Sequence, residues 1–488
     1  MSALQLVAAF LSGAASVLAF APAGLYPLAL VTFALLAHLW VRATPRDAFW
    51  LGGSFGLGLF GAGVSWIYVS LSEFGGMAPP LAALFTALLC ALLALFPAAA
   101  GWLQARIPAG QLTRAWLLVP ASWTLFEWLR GWIFTGFPWL ATGYAAAGWP
   151  LQGFAPLLGV YGLSFITVSL AAMGWSIARG DRRAVAVVLA FAIVGGGAAL
   201  NTVAWTSPQG APVSAALLQG NIEQDLKFKP ERYARILDTY ASLAESTQAR
   251  IIVLPETALP RFFDRIEPAF LARLEAAAKR NGGDLLLGVP HRTGPAQYYN
   301  SVVTLGTSPR QAYHKVHLVP FGEFIPPGFD WAFKLMEIPL SDFSRGAPDQ
   351  PPLLAAGQRV AVNICYEDAF GMELGQRTFA STLLVNMSNV AWFGDSLAPG
   401  QHLQIARLRA IESGRMHLAA TNTGITAAVD RDGSVLARLP QFIEGRLEIA
   451  VQGYSGETPY LRFGDWPILA ASLLALGAAL GAALRQRR

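Results

Sequence analysis

The chain has 488 residues, of which 54 % are hydrophobic and only 13 % charged, and it carries a net charge of +5. A soluble globular protein has roughly 25 % charged residues, so the composition excludes a purely soluble chain, and the length calls for more than one folding unit. The positive balance does not point to nucleic acid: the arginines sit in short clusters between apolar runs, with no basic stripe or aromatic platform.

Apolar runs near 4–20, 25–41, 50–71, 78–104, 115–133, 160–178, 183–205 and 466–484 are each long enough to cross a hydrocarbon core of about 30 Å. They predict a bundle of eight transmembrane helices, seven before a more polar region and one after it. The first run lacks a positive stretch ahead of it and further spans follow at once, so it reads as a retained helix and not a signal peptide. Arg42 and Arg46, Arg106 and Arg114, the Arg179–Arg183 cluster, and Arg485, Arg487 and Arg488 all fall on one side of such a bundle. The opposite loop, LSEFGG, carries Glu73 and no Lys or Arg. The positive-inside rule then places both termini in the cytoplasm and the polar region outside the cytoplasmic membrane.

The link 131–159 is rich in Trp, Phe, Gly and Pro. It suits an interfacial or re-entrant segment near a lipid site as well as an aromatic belt. Glu127 and Arg130 lie close to an apolar run and are expected to snorkel or to pair with each other. Cys90 sits inside an apolar run and Cys365 far away, so no disulfide is expected.

After Pro208 the apolar runs shorten and charges become frequent. VSAALLQGNI, ARIIVLPET, GDLLLGVPHR, NSVVTLG, RVAVNICYED and STLLVNMSN read as short buried strands. PERYARILDTYASLAES, PAFLARLEAAAKRNG and PGQHLQIARLRAIESG read as helices between them. The alternation predicts an α/β layer fold. The expected division is 1–205 for the membrane helices, 206–460 for the α/β domain, and 461–488 for a last helix with a basic tail.

Three strand ends carry chemistry. Glu256 follows IIVLP, Lys315 lies in AYHKVHLVPFGEFIP, and Cys365 follows VAVNI. A carboxylate can serve as base to a thiol, and an ammonium can offset negative charge that develops on a carbonyl oxygen. Together they can run acyl transfer through a thioester. Singly, each has a plain structural reading: a small buried thiol, a carboxylate at a helix start, a solvated lysine. Their joint occurrence in extended motifs favours the chemistry.

Those motifs carry a resemblance. QGNIEQDLKF, LPETALP, YHKVHLVPFGEFIP, NICYED, NMSNVAWFGDS, QHLQIARLRAIESGR and TNTG make the polar region resemble the nitrilase, or carbon–nitrogen hydrolase, superfamily. With its surrounding helices the chain resembles the bacterial apolipoprotein N-acyltransferase family. The resemblance implies an α-β-β-α sandwich with Glu256 as general base, Cys365 as nucleophile, and Lys315 with a neighbouring backbone N–H as oxyanion donors. It implies a second essential carboxylate at Glu323 and supporting roles for Tyr366 and Glu367. Phe228 stands where the family often has Trp. It implies a phospholipid acyl donor, typically phosphatidylethanolamine, and a lipoprotein acceptor with an N-terminal diacylglyceryl-cysteine. It also implies a multi-pass protein of the bacterial inner membrane with the catalytic domain on the periplasmic side, without cofactor or metal. A monomer is expected.

The segment 324–345 is apolar for a connecting loop, and Trp331 and Phe333 in it are expected to meet lipid and gate acyl-chain entry. Trp392 of AWFGDS is assigned with Phe228 to substrate contact. His291, His314, His317, His402 and His417 show no metal-ligand spacing and read as structural or surface groups. The competing reading is a membrane-bound nitrilase-type amidase that uses the same residues but delivers water. A transporter is disfavoured, because the first four helices offer almost no polar path and no repeat.

Overall fold

In the computed structural model the described residues are 1–294, 297–328 and 342–485. The chain forms two compact units. One comprises Met1–Tyr68, Pro79–Val203 and Arg462–Arg488; the other comprises Val69–Ala78 and Ala204–Leu461.

The first unit is helical: α1 (Ala3–Ser16), α2 (Tyr26–Trp40), α3 (Pro45–Gly63), α4 (Pro79–Arg106), α5 (Val119–Arg130), α6 (Ala155–Arg179), α7 (Arg183–Leu200) and a final helix, Trp466–Arg485. Leu4, Phe191 and Leu474 are 77, 75 and 73 % exposed, a surface that suits hydrocarbon and not water.

The expected eight spans are met in part. Among the described residues four helices have the length and composition to cross a membrane: α4, Pro150–Arg179, α7 and Trp466–Arg485. The helix α3 with Ile67–Phe74, bent by 58°, would make a fifth. At 1.5 Å per residue α1 and α2 extend only about 21–23 Å, short of the ~30 Å core. The run 115–133 divides into a π turn, Arg114–Leu118, and the 12-residue α5. Hydropathy counts apolar residues but not where the helix ends.

Glu127 and Arg130 do pair, at 3.9 Å, but they do not snorkel, since both are buried. Glu127 Oε1 accepts from Thr142 N–H at 2.7 Å and Thr142 Oγ1 at 2.8 Å, and Arg130 donates to the carbonyls of Phe137 and Trp139. The pair therefore fastens the aromatic link 137–142 to α5. A buried ion pair needs its remaining polar atoms met; the link meets Glu127 Oε1 and the Arg130 guanidinium, while Glu127 Oε2 has no partner among the described residues.

The second unit contains two six-stranded sheets. The first holds β1 (Val213–Gln219), β2 (Ile251–Val253), β3 (Asp284–Gly294), β4 (Gln297–Gly306), β5 (Ala312–His314) and the late strand Gly445–Val451, which pairs with β1. The other holds β6 (Leu353–Ala355), β7 (Gln358–Ile364), β8 (Leu383–Ser388), β9 (His417–Thr421), β10 (Ala427–Val429) and β11 (Val435–Arg438), in that order. Strands β1, β2 and β3 are parallel, as are β7, β8 and β9.

The inner faces share one core of Val, Leu and Ile, including Leu217, Val253 and Leu286 from one sheet and Val362, Val385 and Leu418 from the other. Helices Pro230–Glu245 and Pro268–Arg280 cover the outer face of the first sheet through Ile236, Tyr240, Phe270 and Leu274. Leu374 of Gly371–Thr378 packs on Ala361 and Leu384 of the second sheet, and Ala398–Ser413 packs on β9 and β10. The layers run α-β-β-α, and the C-terminal ends of the parallel strands gather the chemistry, where α/β sheets place their sites.

Candidate active site

Cys365 follows β7 directly and opens the 3-10 turn Cys365–Ala369. Its φ is +54°, a left-handed conformation that costs a non-glycine residue about 1–3 kcal/mol and persists only when its surroundings hold it. Glu256 follows β2 by three residues. Gly288 of β3 lies against that turn so closely that a Cβ there would come within 2.2 Å of the Pro255 carbonyl. Lys315 follows β5, its N–H donating to Asn300 O at 2.8 Å and so continuing the ladder with β4.

Glu256, Lys315 and Glu323 converge. Lys315 Nζ lies 2.8 Å from Glu323 Oε2 and 3.5 Å from Glu256 Oε1. Glu323 Oε2 also accepts from Val319 N–H, and Glu256 Oε2 from Asn389 N–H, each at 2.8 Å. Burial opposes the Lys315 charge, but Glu323, Glu256 and Cys365 together hold its pKa well above the ordinary value. Lys315 is therefore a fixed ammonium, a donor and not a base. Cys365 is partly exposed as a residue, yet burial pushes its thiol well up, with Glu256 adding to the rise and Lys315 opposing it. The resting sulfur thus keeps its proton, and a neighbouring base must take that proton as the sulfur attacks.

Asn300 is a participant that the sequence reading passes over as part of the strand NSVVTLG. Its Nδ2 lies 2.7 Å from Glu256 Oε1 and 2.7 Å from Glu323 Oε1, so one amide holds both carboxylates apart and in place. A buried polar residue at the start of an apolar strand run was the available signal. Lys227 is another. It is 1 % exposed, its Nζ is 3.5 Å from the Glu256 carbonyl, and burial lowers its pKa to about 8 against the pull of Glu256.

Glu367 is fully buried and faces away from solvent into a ring of donors. Tyr313 Oη lies at 2.8 Å, and the N–H groups of Ile364, Val316 and His317 at 2.8, 2.9 and 3.1 Å, with Arg377 at 3.3 Å. Ile364 precedes Cys365, and Val316 and His317 follow Lys315. Glu367 therefore ties the nucleophile's turn to the lysine's loop. The Tyr366 ring instead packs edge-on to Phe370 at 5.0 Å, with His317 stacked on Phe370 at 3.6 Å.

Phe228 is half-buried on the turn beside Lys227. Trp392 is also half-buried. Its carbonyl accepts from Ser70 Oγ at 2.7 Å, and its ring stands nearly perpendicular to Phe74 at 6.5 Å. The segment Val69–Ala78 thus packs on the AWFGDS loop within the same compact unit. Trp331 and Phe333 lie outside the described residues.

His314 precedes Lys315, shares a hydrogen bond with Ser301 Oγ at 2.8 Å and stacks on Tyr299. Burial first, and His291 second, lower its pKa from 6.5 to about 4; burial also lowers His291 and His402. Burial favours the neutral imidazole in the fold, so this contribution is present above the unfolded value near 6.5 and is lost at lower pH, for His314 as pH falls through its folded value near 4. The melting temperature of the detergent-solubilised protein should drop by roughly 3–5 °C from this source between pH 7 and 4.5. His314→Gln should flatten part of that drop; an unchanged slope would contradict the assignment.

A sandwich of this layering, with carboxylate, ammonium and thiol at its strand ends, defines the carbon–nitrogen hydrolase class, and the family model described as "Carbon-nitrogen hydrolase" matches residues 214–460. A second model, "Apolipoprotein N-acyltransferase N-terminal domain", matches residues 12–173. Apolipoprotein N-acyltransferase of Nitrosomonas europaea is 49 % identical over 99 % of this chain and 98 % of its own. Those of Methylococcus capsulatus and Ralstonia nicotianae are each 44 % identical, over 92 and 98 % of this chain and 91 and 93 % of theirs. The chain belongs to the apolipoprotein N-acyltransferase family and is an acyltransferase. A nitrilase-superfamily amidase of Nesterenkonia AN1, as a C145A mutant, superposes with a TM-score of 0.38 at 20 % identity, over 52 % of this chain and 95 % of the amidase.

Proposed function

We propose that this acyltransferase moves an acyl chain from a phospholipid, phosphatidylethanolamine foremost, to the α-amino group of an N-terminal diacylglyceryl-cysteine on a lipoprotein. Glu256 takes the Cys365 proton as sulfur attacks the ester carbonyl. Lys315 and the Tyr366 N–H hold the oxyanion, and Glu323 holds Lys315. The ester C–O bond breaks, and the lysophospholipid oxygen leaves with the proton from Glu256. The lipoprotein amine then attacks the thioester, Glu256 accepts its proton, and the thiol is restored. This is a two-step, ping-pong scheme.

The observation that supports this reading most is the grouping of Glu256 and Lys315, at strand ends, with Glu323 beside Cys365, in a chain with at least four membrane-length helices. A tethered hydrolase would need one. The proposal extends to a monomer crossing the bacterial inner membrane eight times, with residues 206–460 in the periplasm and both termini in the cytoplasm. Phe228 and Trp392 contact substrate, while Trp331 and Phe333 gate acyl entry.

The test is the fate of the acyl chain. Purified protein given acyl-labelled phosphatidylethanolamine and a diacylglyceryl peptide with a free amino terminus should yield N-acylated peptide and lysophospholipid in equal amounts. Free fatty acid as the main labelled product would favour the hydrolase instead.

A further inference from the structure

The peptide joining Cys365 to Tyr366 turns its two polar ends to different surroundings. Its N–H, on Tyr366, is directed at the Cys365 sulfur. Its carbonyl, on Cys365, points the opposite way, as a planar trans peptide requires. That carbonyl accepts from Asn386 Nδ2 at 3.1 Å and from the imidazole of His402.

His402 projects from the helix Ala398–Ser413 and is buried, with Nε2 3.9 Å from Asp368 Oδ2. Asp368 is fully buried in turn. Its Oδ1 lies 3.0 Å from His417 Nε2 on β9 and 3.2 Å from Asn363 Nδ2 on β7. Asn386 on β8 is also bonded to Asn363 and to Ser388. Side chains from three strands and a helix therefore converge behind one carbonyl. None of them belongs to the Glu–Lys–Cys set. The left-handed turn they support needs such over-determination, and donors on the carbonyl also polarise the same peptide's N–H.

We propose that His402, acting with Asn386, is a positioning residue for oxyanion binding: it fixes the Cys365 carbonyl and so aims and strengthens the Tyr366 N–H. The proposal rests on the acyl-thioester reading of the site. His402 acts through the peptide and does not touch substrate.

Two reactions of the same thiol separate this role from a merely structural one. Acylation from a labelled phospholipid builds an oxyanion; alkylation by iodoacetamide displaces iodide and builds none. Both need the thiolate. On the full-length protein in detergent, His402→Phe should slow single-turnover acylation of Cys365 by roughly 10–100-fold, the range of a weakened oxyanion donor, and alkylation by less than about 3-fold. His402→Gln, which keeps an N–H donor, should recover most of the acylation. Asn386→Ala removes the other donor to the same carbonyl and should show the same selective loss, which keeps the test decisive if His402→Phe does not fold.

Parallel loss of both reactions, acylation unchanged in a folded His402→Phe, or a His402→Gln as slow as His402→Phe would each overturn the proposal. A wild-type protein alkylated at Cys365 yet taking no acyl group would instead overturn the acyl-transfer reading beneath it.

Discussion

Replacing Cys365 with alanine should lower N-acylation by at least about 10⁴-fold, because removing a covalent nucleophile leaves only the binding and oxyanion contributions. The fold should survive. Cys365 is partly exposed and touches the shared core only at its edge, so the loss of one sulfur should change stability by no more than about 1 kcal/mol. Glu256→Gln keeps the size and one acceptor for Asn300 while removing the base, and should cost about 10²–10⁴-fold. Steady-state N-acylation alongside thermal melting checks both. A Cys365→Ala protein with more than a few per cent of wild-type turnover would refute the assignment of the nucleophile.

Glu367→Ala should be damaging in a different way. The carboxylate receives Tyr313, Arg377 and the N–H groups of Ile364, Val316 and His317. Its removal strands buried donors, each costing about 1–3 kcal/mol where no water replaces the lost partner, so a total loss of several kcal/mol is expected. The same bonds tie the turn of Cys365 to the loop of Lys315, and a shift of about 1 Å between reacting groups can cost about 10²-fold. Turnover and melting temperature should therefore fall together. Glu367→Gln keeps the shape but turns an amide N–H toward donors, and should recover only part of either. Full activity in a folded Glu367→Ala would show that the tie between the two loops is dispensable.

The residues that speak most clearly in the sequence are those whose chemistry ends a strand. Glu256 and Cys365 each follow a run of buried apolar residues and Lys315 follows the short strand Ala312–His314, and the alternation of such strands with amphipathic helices points to the layered α/β unit. Asn300 is silent because a single asparagine in NSVVTLG looks like any strand terminus; only the sheet pairing that brings Lys315 onto its carbonyl shows why it sits between two carboxylates. His402 and Asp368 are silent for a related reason. They come from a helix and a turn, and what His402 bonds is a backbone carbonyl, which has no letter in the sequence.

The helical unit was less legible. Apolar runs locate the helices of the first unit, but α1 and α2 are shorter apolar helices than the runs suggest and α3 bends at its end. Glu127 and Arg130 lie beside an apolar run near a helix end, where a charged residue commonly reaches for water. Instead they face inward and bind the backbone of the following link. Hydropathy reports the solvent of a run as a whole, while these two residues answer to unpaired backbone groups a turn or two away.

In the two-step scheme the acyl chain rests on Cys365 between donor and acceptor. The most direct measurement of this is the mass of the Cys365-containing peptide after the protein meets phospholipid alone, with no lipoprotein present. An added acyl chain is expected on that peptide, removed by hydroxylamine and passed to the diacylglyceryl peptide when it is supplied. An unmodified Cys365 under those conditions, with product forming only when both substrates are present, would contradict the scheme.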